Sequence, residues 1–486
     1  MGKEINPPKL KLVLLVPNYR WHEADKSALW HIMPYNLCLL AGMVSNICDV
    51  EIMDAYTADM TPQVFTNTLR SLQPDIVGIT IPMDQFSASG HLAAKLIKSI
   101  SPDIKVILGG VYATVNPEIA VEDKHIDYIV NGEGEYVLHD LIHFFMGKGS
   151  LPSSGICYKT GDNIVVNNGR AELIKDLDDL PLPAYHLIDF EAYSNSAPRK
   201  SVDLPSMLPY GRIITSRGCP HKCVFCQVET ISGRKFRPRS SDNVIKEIAW
   251  LKETYNIQSI LFDDDNLFAN RERAKAIFQG MIDQNLSMPW KSIATAVFRL
   301  DEELIELMKL SGCQYICIAI ESGSERILKD IIHKPVKYEH ATKMVEVAQK
   351  HGIFVSANFI IGFPTETWIE IRKTINFAEE LNADYVKIFN AIPLRHTRLW
   401  DLCIKENAFK KGFDWNKISW NVGQIESDEF TANDLCILRA YEWDRINFSS
   451  TEKCRKIAQM MHISIEELQQ IRRETLKNSI ETICKN

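Results

Sequence analysis

Three cysteines stand close together near the middle of the chain with a spacing that suits metal chemistry. Cys219, Cys223 and Cys226 form a C-x-x-x-C-x-x-C pattern directly after an apolar run at residues 213–215, which predicts a strand. Three thiolates on one tight loop can hold three irons of a cubane iron–sulfur cluster. The fourth iron then has no protein ligand, and an open metal position is where a substrate or cofactor binds.

A zinc site and three unrelated buried thiols are the alternatives for this loop. Zinc usually takes four ligands, often as two C-x-x-C pairs, and no second pair lies at such a spacing. The other nine cysteines are scattered singly or nearly so. Free cysteines are commonly small buried hydrophobes, and we expect this even of the one further pair, Cys313 and Cys317.

The cysteine loop resembles that of the radical S-adenosylmethionine (SAM) family. The resemblance implies a [4Fe–4S] cluster on Cys219, Cys223 and Cys226, whose open iron is chelated by the amino and carboxylate groups of SAM. It further implies that one electron, from a donor such as flavodoxin or ferredoxin, cleaves SAM to methionine and a 5′-deoxyadenosyl radical. That radical takes a hydrogen atom from an unreactive C–H bond.

Composition narrows the class of protein. The 486 residues leave room for two or three domains, and 45% hydrophobic with 24% charged residues is typical of a soluble globular protein. The net charge of −7 gives no electrostatic footprint for nucleic acid. No apolar run approaches the ~20 residues that span a membrane, no signal peptide is evident, and the cysteine usage fits a reducing cytoplasm.

The elements around the cysteine loop alternate between strand and helix over residues 206–398. After the run at 213–215, strands are predicted at 258–262, 292–297, 315–321, 354–361 and 384–389. Six strands that are each followed by a helix predict a partial (β/α)6 barrel, in which active residues gather at the carboxyl ends of the strands. Residues 399–486 are predicted to form a helical C-terminal region.

Several residues at these predicted strand ends match the radical SAM family, and the resemblance implies their roles. Phe225 matches an aromatic beside the SAM adenine, and Asp263-Asp264-Asp265-Asn266 matches acidic residues that bind its amino group. Which carboxylate points inward stays open, and Asp264 is our candidate. The remaining matches are Glu321 and Ser322 at the ribose, and Gly362 and Glu366 in the segment that packs on adenine.

The loop after the sixth predicted strand departs from the family pattern. Many relatives have Pro-Gly-Thr there, whereas this chain has Arg395, His396 and Arg398. Two arginines and a histidine at the mouth of a barrel could recognise a carboxylate or phosphate on the substrate. A solvated basic loop is the alternative.

The first part of the chain, residues 1–149, has the pattern of a doubly wound parallel sheet. Strands are predicted at 12–16, 50–53, 75–80, 105–110 and 128–131, with helices between them. Ligands of such sheets bind at the carboxyl ends of the strands, where Thr80, Gly109, Gly110 and Gly132 lie. These glycines either make turns or let the backbone approach a ligand. Residues 150–205, with a hairpin and an acidic, proline-containing stretch, are predicted to be a connector.

This first part is similar to the cobalamin-binding domain of one large radical SAM subclass, which includes the anaerobic magnesium-protoporphyrin ester cyclase. The matching phrases contain Thr80, Gly109-Gly110 and Gly132. The D-x-H-x-x-G motif that binds cobalt through histidine is absent, because the nearest candidate, Asp123-Lys124-His125, continues to tyrosine rather than glycine. A domain that keeps the fold and has lost the cofactor is the alternative.

The resemblance predicts a cobalamin-dependent radical SAM enzyme that methylates an unactivated carbon of a small molecule. One SAM methylates cobalt, and a second yields the radical that prepares the substrate to take the methyl group. A radical cyclisation, rearrangement or dehydration, with or without cobalamin, is the first alternative. A transfer-RNA methylthiotransferase would need a second cysteine triad, which residues 1–149 lack, and a cobalamin or redox sensor would leave the SAM-matching strand ends without a purpose.

Overall fold

The computed structural model describes residues 9–22, 33–195, 201–205, 207–415, 418 and 422–485. The described residues form two compact units, one within Met1–Tyr193 and one within Ser194–Asn486, apart from a short segment at Trp415 that belongs to the first. Among these residues, no helix is long and apolar enough to cross a membrane.

The first unit is built on a seven-stranded sheet in the order β2-β1-β3-β4-β5-β6-β7. Strands β1 to β5 are mutually parallel, whereas β6 and β7 form an antiparallel hairpin on the edge of β5. The elements in chain order are β1 (Lys11–Val16), α1 (Tyr35–Val44), β2 (Asp49–Asp54), α2 (Pro62–Leu72), β3 (Ile76–Thr80), α3 (Ser87–Ile100), β4 (Lys105–Gly109), α4 (Val111–Val115), α5 (Pro117–Ala120), β5 (Tyr128–Val130), α6 (Glu135–Phe145), β6 (Ile156–Lys159), β7 (Val165–Asn167) and α7 (Phe190–Asn195).

The five parallel strands confirm the prediction of a doubly wound sheet, with each strand within one residue of its predicted bounds. The central strands β1, β3 and β4 have near-continuous apolar sequences that are buried on both faces, as in other parallel sheets covered by helices. The edge strand β2 contains charged residues and is partly exposed. The start of α2 follows its sequence signal, because the Thr61 side chain accepts a hydrogen bond from Val64 N and Pro62 occupies the first helical position. The hairpin predicted within the connector, residues 150–205, is formed by β6 and β7. It extends this sheet, because β6 pairs with β5.

The second unit contains a six-stranded parallel sheet in the order β15-β14-β13-β12-β11-β8. Its elements are β8 (Tyr210–Ile213), β9 (Ser216–Arg217), α8 (Val228–Ile231), β10 (Arg237–Pro238), α9 (Ser241–Tyr255), β11 (Ser259–Phe262), α10 (Arg271–Asp283), β12 (Trp290–Thr295), α11 (Glu302–Leu310), β13 (Cys313–Glu321), α12 (Tyr338–Lys350), β14 (Phe354–Ile361), α13 (Trp368–Glu380), β15 (Tyr385–Asn390), α14 (Arg398–Lys405), α15 (Ala432–Asn447), α16 (Thr451–Met461) and α17 (Ile465–Lys485).

The sheet confirms the predicted partial barrel of six strands, with one displaced element. The first strand was predicted at 213–215 but ends at Ile213. The reason is that Thr215 directs both its backbone N and its hydroxyl to the carboxylate of Asp264, at 3.1 and 2.7 Å, and so leaves the ladder. Ser216 and Arg217 instead pair with β10 in a separate two-stranded ribbon.

Helices α15, α16 and α17 confirm the helical C-terminal region and cover one edge of the six-stranded sheet. The side chain of Asn447, at the end of α15, pairs with the edge strand β15 as another strand would. Its Oδ1 accepts from Val386 N at 2.7 Å and its Nδ2 donates to Val386 O at 2.8 Å. This contact satisfies backbone groups that an open sheet edge leaves unpaired.

Candidate functional site

The cysteine triad differs from every other cysteine whose side chain is described. Cys219, Cys223 and Cys226 are partly exposed, whereas the eight others are buried: Cys38, Cys48, Cys157, Cys313, Cys317, Cys403, Cys436 and Cys454. The expectation that the scattered cysteines are core residues is therefore confirmed for these eight. Among the cysteines whose side chains are described, the triad alone has the access to solvent that a reactive or ligating thiol needs.

Backbone contacts fix the cysteine loop at the carboxyl edge of the sheet. Val224 N donates to Ile332 O at 3.1 Å, and Leu399 N donates to Val224 O at 2.9 Å. Gly218, just before the triad, has a φ of +82°, and a Cβ there would lie 2.4 Å from Lys235 O. Because only glycine tolerates both conditions, the residue before Cys219 is restricted to glycine.

Burial affects the pKa of two of the three thiols. Burial raises the pKa of Cys226 to about 12, and burial also raises the pKa of Cys223. No group of three His, Cys, Asp or Glu side chains among the described residues is close enough to hold a single metal ion. A cubane cluster does not require a single shared metal position, because each cysteine ligates its own iron.

Of the three consecutive aspartates after β11, the first bonds to the neighbouring strand β8 and the other two bond to the segment that leads into the cysteines. Asp263 pairs with Arg212 of β8, with Arg212 Nε 2.7 Å from its Oδ2. Asp264 Oδ1 accepts from Thr215 and from the Ser216 hydroxyl at 2.5 Å. Asp265 Oδ2 accepts from Gly218 N at 2.9 Å. The aspartates therefore tie the end of β11 to the cysteine loop.

Asp264 is buried, and burial raises the pKa of its carboxyl to about 6. Its folded form therefore binds a proton more tightly than the unfolded chain, whose ordinary pKa is 3.8. This proton stabilises the fold fully below pH ~4, and the stabilisation of about 3 kcal/mol is lost as the pH rises through ~6.

We expect Asp264→Asn to remove this pH dependence. The free energy of unfolding of the wild type, minus that of the variant, should fall between pH 4 and pH 6.5 and stay level above. Urea unfolding across this range measures the difference. A difference that stays constant with pH would show that Asp264 is ionised throughout.

Glu321 ends β13 in a strained conformation and a buried ion pair. Its φ of +77° is uncommon for a residue other than glycine, and the register of β13 against β14 shifts beside it. Its Oε1 lies 2.7 Å from Lys334 Nζ, and the two side chains are only 6% and 8% exposed. Burial opposes the charge of Lys334, but the Glu321 carboxylate and the thiols of Cys223 and Cys226 raise the pKa of Lys334. Positive charge is thus held beside the cysteine loop.

Ser322 faces a neighbouring helix. Its hydroxyl is completely buried and lies 3.0 Å from Thr374 Oγ1 in α13, which also accepts from Gly323 N. The side chain of Ser322 therefore fixes the loop after β13 to α13. Any contact of this loop with a ribose would come from its other atoms.

The loop after β14 presents a buried carboxyl group and an aromatic ring. Glu366 Oε2 accepts from the backbone N of Gly362 and of Phe363, at 2.7 and 3.0 Å. Burial raises the pKa of Glu366 to about 8. Phe225 of the cysteine loop packs on Phe363, with ring centroids 6.4 Å apart. The contact between Phe225 and Phe363 therefore places the cysteine loop beside the segment that contains Gly362 and Glu366.

Buried acceptor atoms without hydrogen-bond partners collect at these strand ends. They are Asp264 Oδ2, Asn266 Oδ1, Glu366 Oε1 and Asn390 Oδ1. Asn266 also donates from Nδ2 toward Cys219 Sγ at 3.7 Å. Buried acceptors are normally satisfied, and a ligand rich in donors, such as SAM with its ammonium, ribose hydroxyls and adenine amine, fits this set.

The basic loop after β15 is partly engaged with the cysteine segment. Gln227 Nε2 donates to Arg395 O at 2.9 Å, and the Arg395 guanidinium lies over the Trp400 ring, 5.6 Å from its centroid. Arg398 lies 3.9 Å from Glu229. His396 has a φ of +60°. These contacts fix the loop beside the cysteines without deciding whether it meets a substrate.

In the first unit, the four predicted residues meet at the carboxyl edge of the parallel strands. Thr80 ends β3 and pairs in register with Gly109 of β4. Gly110 has a φ of +89°, and a Cβ there would lie 2.6 Å from Ile81 O. Thr114 links Gly110 to Gly132, because its N donates to Gly110 O at 3.0 Å and its hydroxyl accepts from Gly132 N at 3.1 Å.

Gly109 has room for a side chain, unlike Gly110. The nearest atom to a Cβ at Gly109 would be Ile79 O at 3.9 Å, an ordinary contact.

We expect Gly110→Ala to destabilise the unit by about 1–3 kcal/mol, because alanine at this φ is strained and collides with Ile81. Gly109→Ala should fold normally and lose affinity for cobalamin, because its methyl group occupies space that the backbone leaves open. Urea unfolding and cobalt per chain after reconstitution measure the two effects. Equal stability of the two variants would contradict this.

Asp123 and His125 lie away from that edge. His125 Nδ1 is 2.7 Å from Asp123 Oδ1, and both precede the start of β5. The carboxyl edge is at the other end of the strands. The structure therefore agrees with the sequence that this histidine is not placed to bind cobalt.

Sequence reasoning missed Lys334 and Asn266 as members of the cysteine environment. Lys334 follows a π-helical turn, Ile327–Ile332, and His333 in the left-handed conformation. A π-helical turn often marks a functional site. However, the residue pattern of 327–334 does not predict such a turn. Asn266 was named only as the last residue of the aspartate segment, and its amide was not expected to lie near Cys219.

Comparison with known proteins agrees with this geometry. Residues 213–378 match the radical SAM superfamily, and residues 29–142 match the B12 binding domain. An uncharacterized methyltransferase of Pyrococcus horikoshii is 32% identical over 88% of this chain and 90% of its own length. Cytidylyl-2-hydroxyethylphosphonate methyltransferase of Streptomyces wedmorensis is 28% identical over 70% of this chain and 68% of its own length.

A solved structure shares the fold. The cobalamin-dependent SAM radical enzyme OxsB, with aqua-cobalamin and SAM bound, superposes with a TM-score of 0.70 at 16% identity, over 96% of this chain and 72% of that chain. The chain is therefore an enzyme of the radical SAM superfamily that carries a B12-binding domain, and the cofactors of these families are a [4Fe–4S] cluster, SAM and cobalamin.

Proposed function

We propose that this protein is a cobalamin-dependent methyltransferase that acts on an unactivated carbon of a small molecule. The observation that carries the proposal is the partly exposed cysteine triad at the carboxyl edge of a six-stranded sheet, surrounded by buried acceptors without partners. The two methyltransferase relatives support the reaction type. The absence of a second cysteine triad disfavours a methylthiotransferase.

We assign the cluster to Cys219, Cys223 and Cys226, and SAM to the strand ends after β11, β13, β14 and β15. Asp264 offers its unpaired oxygen to donors of SAM, and Gly362 and Glu366 belong to the segment that packs on adenine. Phe225 also packs on adenine, and Glu321 lies at the ribose. When bound, the cluster and SAM supply a carbon-centred radical and methylcobalamin supplies the methyl group. The protein binds, orients and excludes water, which a reactive primary radical requires.

The remaining assignments concern the first unit and the partners. Thr80, Gly109, Gly110 and Gly132 border the cobalamin site. The electron donor is of the flavodoxin or ferredoxin type, and the enzyme works in the reducing cytoplasm. Arg395, beside the cysteine segment, is the candidate for recognising an anionic group of the substrate.

Anaerobic reconstitution with iron, sulfide and hydroxocobalamin, followed by desalting, tests the cofactor assignment. We expect about four irons per chain and about one cobalt. Iron near four with cobalt near zero would exclude methylcobalamin chemistry and leave a cobalamin-free radical SAM enzyme on an inherited fold.

Product analysis under reducing conditions separates the reaction types. Methyl transfer by the proposed route gives one S-adenosylhomocysteine and one 5′-deoxyadenosine for each product that gains one carbon. A product without the added carbon, formed with 5′-deoxyadenosine alone, would indicate cyclisation, rearrangement or dehydration. No SAM turnover with cluster and donor present would indicate a sensor.

A further inference from the structure

A cavity of ≈260 Å³ lies within the second unit, and no residue of the cysteine triad lines it. It is bordered by β15, by the segment before β8 and by the three C-terminal helices. Most of its wall is apolar, from Phe448, Ile457, Met461, Leu468 and Ile471 among others. Its polar groups are fewer: Ser201, Asp203, Tyr385, Lys387, Arg439 and Thr475.

Arg439 is the unusual member of this wall. The residue is 93% buried, since only 7% of it is exposed. Its Nη2 donates to Ser479 Oγ at 3.1 Å, and its Nε is buried without a partner. No Asp or Glu within the described part of the chain forms an ion pair with it. Arginine is seldom buried unless it is paired.

The neighbouring charges do not compensate Arg439. Asp203 already accepts from Lys387 Nζ at 2.5 Å and from Tyr315 OH at 2.5 Å. Tyr385 OH accepts from Trp443 Nε1 at 2.9 Å, and burial raises the pKa of Tyr385, so its hydroxyl is neutral. The described wall therefore holds two cations, Arg439 and Lys387, and one carboxylate, an excess of one positive charge.

A buried guanidinium without a carboxylate partner, beside an apolar cavity, favours a ligand that has both an anionic group and an apolar part. A planar carboxylate matches the guanidinium fork, and an apolar body would displace water from the aliphatic and aromatic wall. We propose that this cavity binds an amphipathic monocarboxylate, with the carboxylate on Arg439 and the apolar part among the side chains of α15, α16 and α17. This site is distinct from the cysteine triad and does not depend on the proposed methyl transfer.

The energetic signature of such a site differs from that of a structural arginine. A structural arginine holds its neighbours through hydrogen bonds and destabilises the protein when removed. Arg439 has one such bond and bears the desolvation of a buried charge, so Arg439→Met should leave the ligand-free protein as stable as the wild type or more stable.

Titration calorimetry of the reconstituted protein with octanoate, and with 1-octanol as the uncharged counterpart, tests the proposal. Octanoate should bind the wild type one to one and bind Arg439→Met roughly 10- to 100-fold more weakly, whereas octanol should bind both proteins equally. Arg455→Met, which changes an exposed arginine of α16, is the matched control and should bind octanoate as the wild type does.

Each other outcome overturns the proposal. No octanoate binding to the wild type would mean that the cavity is not a carboxylate site. Equal binding to Arg439→Met would remove the arginine from it. A lower thermal midpoint of Arg439→Met than of the wild type, without ligand, would assign Arg439 a structural role. Inorganic phosphate that binds the wild type as tightly as octanoate does, and displaces it, would indicate a phosphate site instead.

Discussion

Replacing Cys226 by alanine is expected to reduce iron from about four per chain to near zero after anaerobic reconstitution. A cubane cluster needs all three protein thiolates, because its fourth iron already lacks a protein ligand. SAM cleavage should fall to background with the cluster, and the formation of 5′-deoxyadenosine under reduction measures this. The substitution removes a single sulfur atom from a side chain that is not fully buried, so the fold should persist.

Cys454→Ala is the matched control for this experiment. Cys454 lies in the hydrophobic core of the C-terminal helices and is 7% exposed. We expect normal iron content and normal SAM cleavage, with a modest loss of stability from the lost packing. Iron that remains near four in Cys226→Ala, or that disappears equally in Cys454→Ala, would contradict the assignment of the cluster to the triad.

Removing the charge of Lys334 is expected to destabilise the second unit by about 3–5 kcal/mol. Lys334→Met leaves the carboxylate of Glu321 buried, charged and without its partner at 2.7 Å. The conformation of Glu321 is already strained at φ +77°. Urea unfolding of the unreconstituted protein, followed by tryptophan fluorescence, measures the loss at pH 7.

The double variant Lys334→Met/Glu321→Leu separates the unpaired charge from lost packing. Replacing both partners of a buried ion pair by apolar residues is often nearly neutral. The double variant should therefore recover most of the stability that the single variant loses, although SAM binding is not expected to recover. A double variant as unstable as Lys334→Met would indicate that the lysine acts through its packing alone.

Much of the fold followed from local sequence. The apolar runs at residues 12–16, 354–361 and their counterparts gave the parallel strands because a strand buried on both faces must be apolar throughout. Helix starts followed from caps such as Thr61, whose side chain accepts a hydrogen bond from the backbone N of Val64. The local pattern misplaced β8, because the Asp264 carboxylate accepts hydrogen bonds from Thr215 that Thr215 would otherwise direct elsewhere. Such a contact between distant residues is not visible in the local sequence.

The site was predicted less completely than the fold. Cys219, Cys223, Cys226 and Phe225 lie on one contiguous loop, so their proximity follows from the chain itself. Asp264 was a candidate among three adjacent carboxylates, and choosing between them requires the direction of each side chain after the strand ends. The structure directs Asp263 to Arg212 of β8, and Asp264 and Asp265 to Ser216 and Gly218 before the cysteines.

The sequence by itself determined the class of chemistry, through three thiols at a fixed spacing, and the two α/β units, through their periodic apolar runs. Only the tertiary structure brought Lys334 to Glu321 and to the cysteines, and left Arg439 buried without a carboxylate. The physical reason is that ligand spacing and burial patterns are local in the chain. The partner of a buried charge is chosen by packing between elements that are distant in sequence.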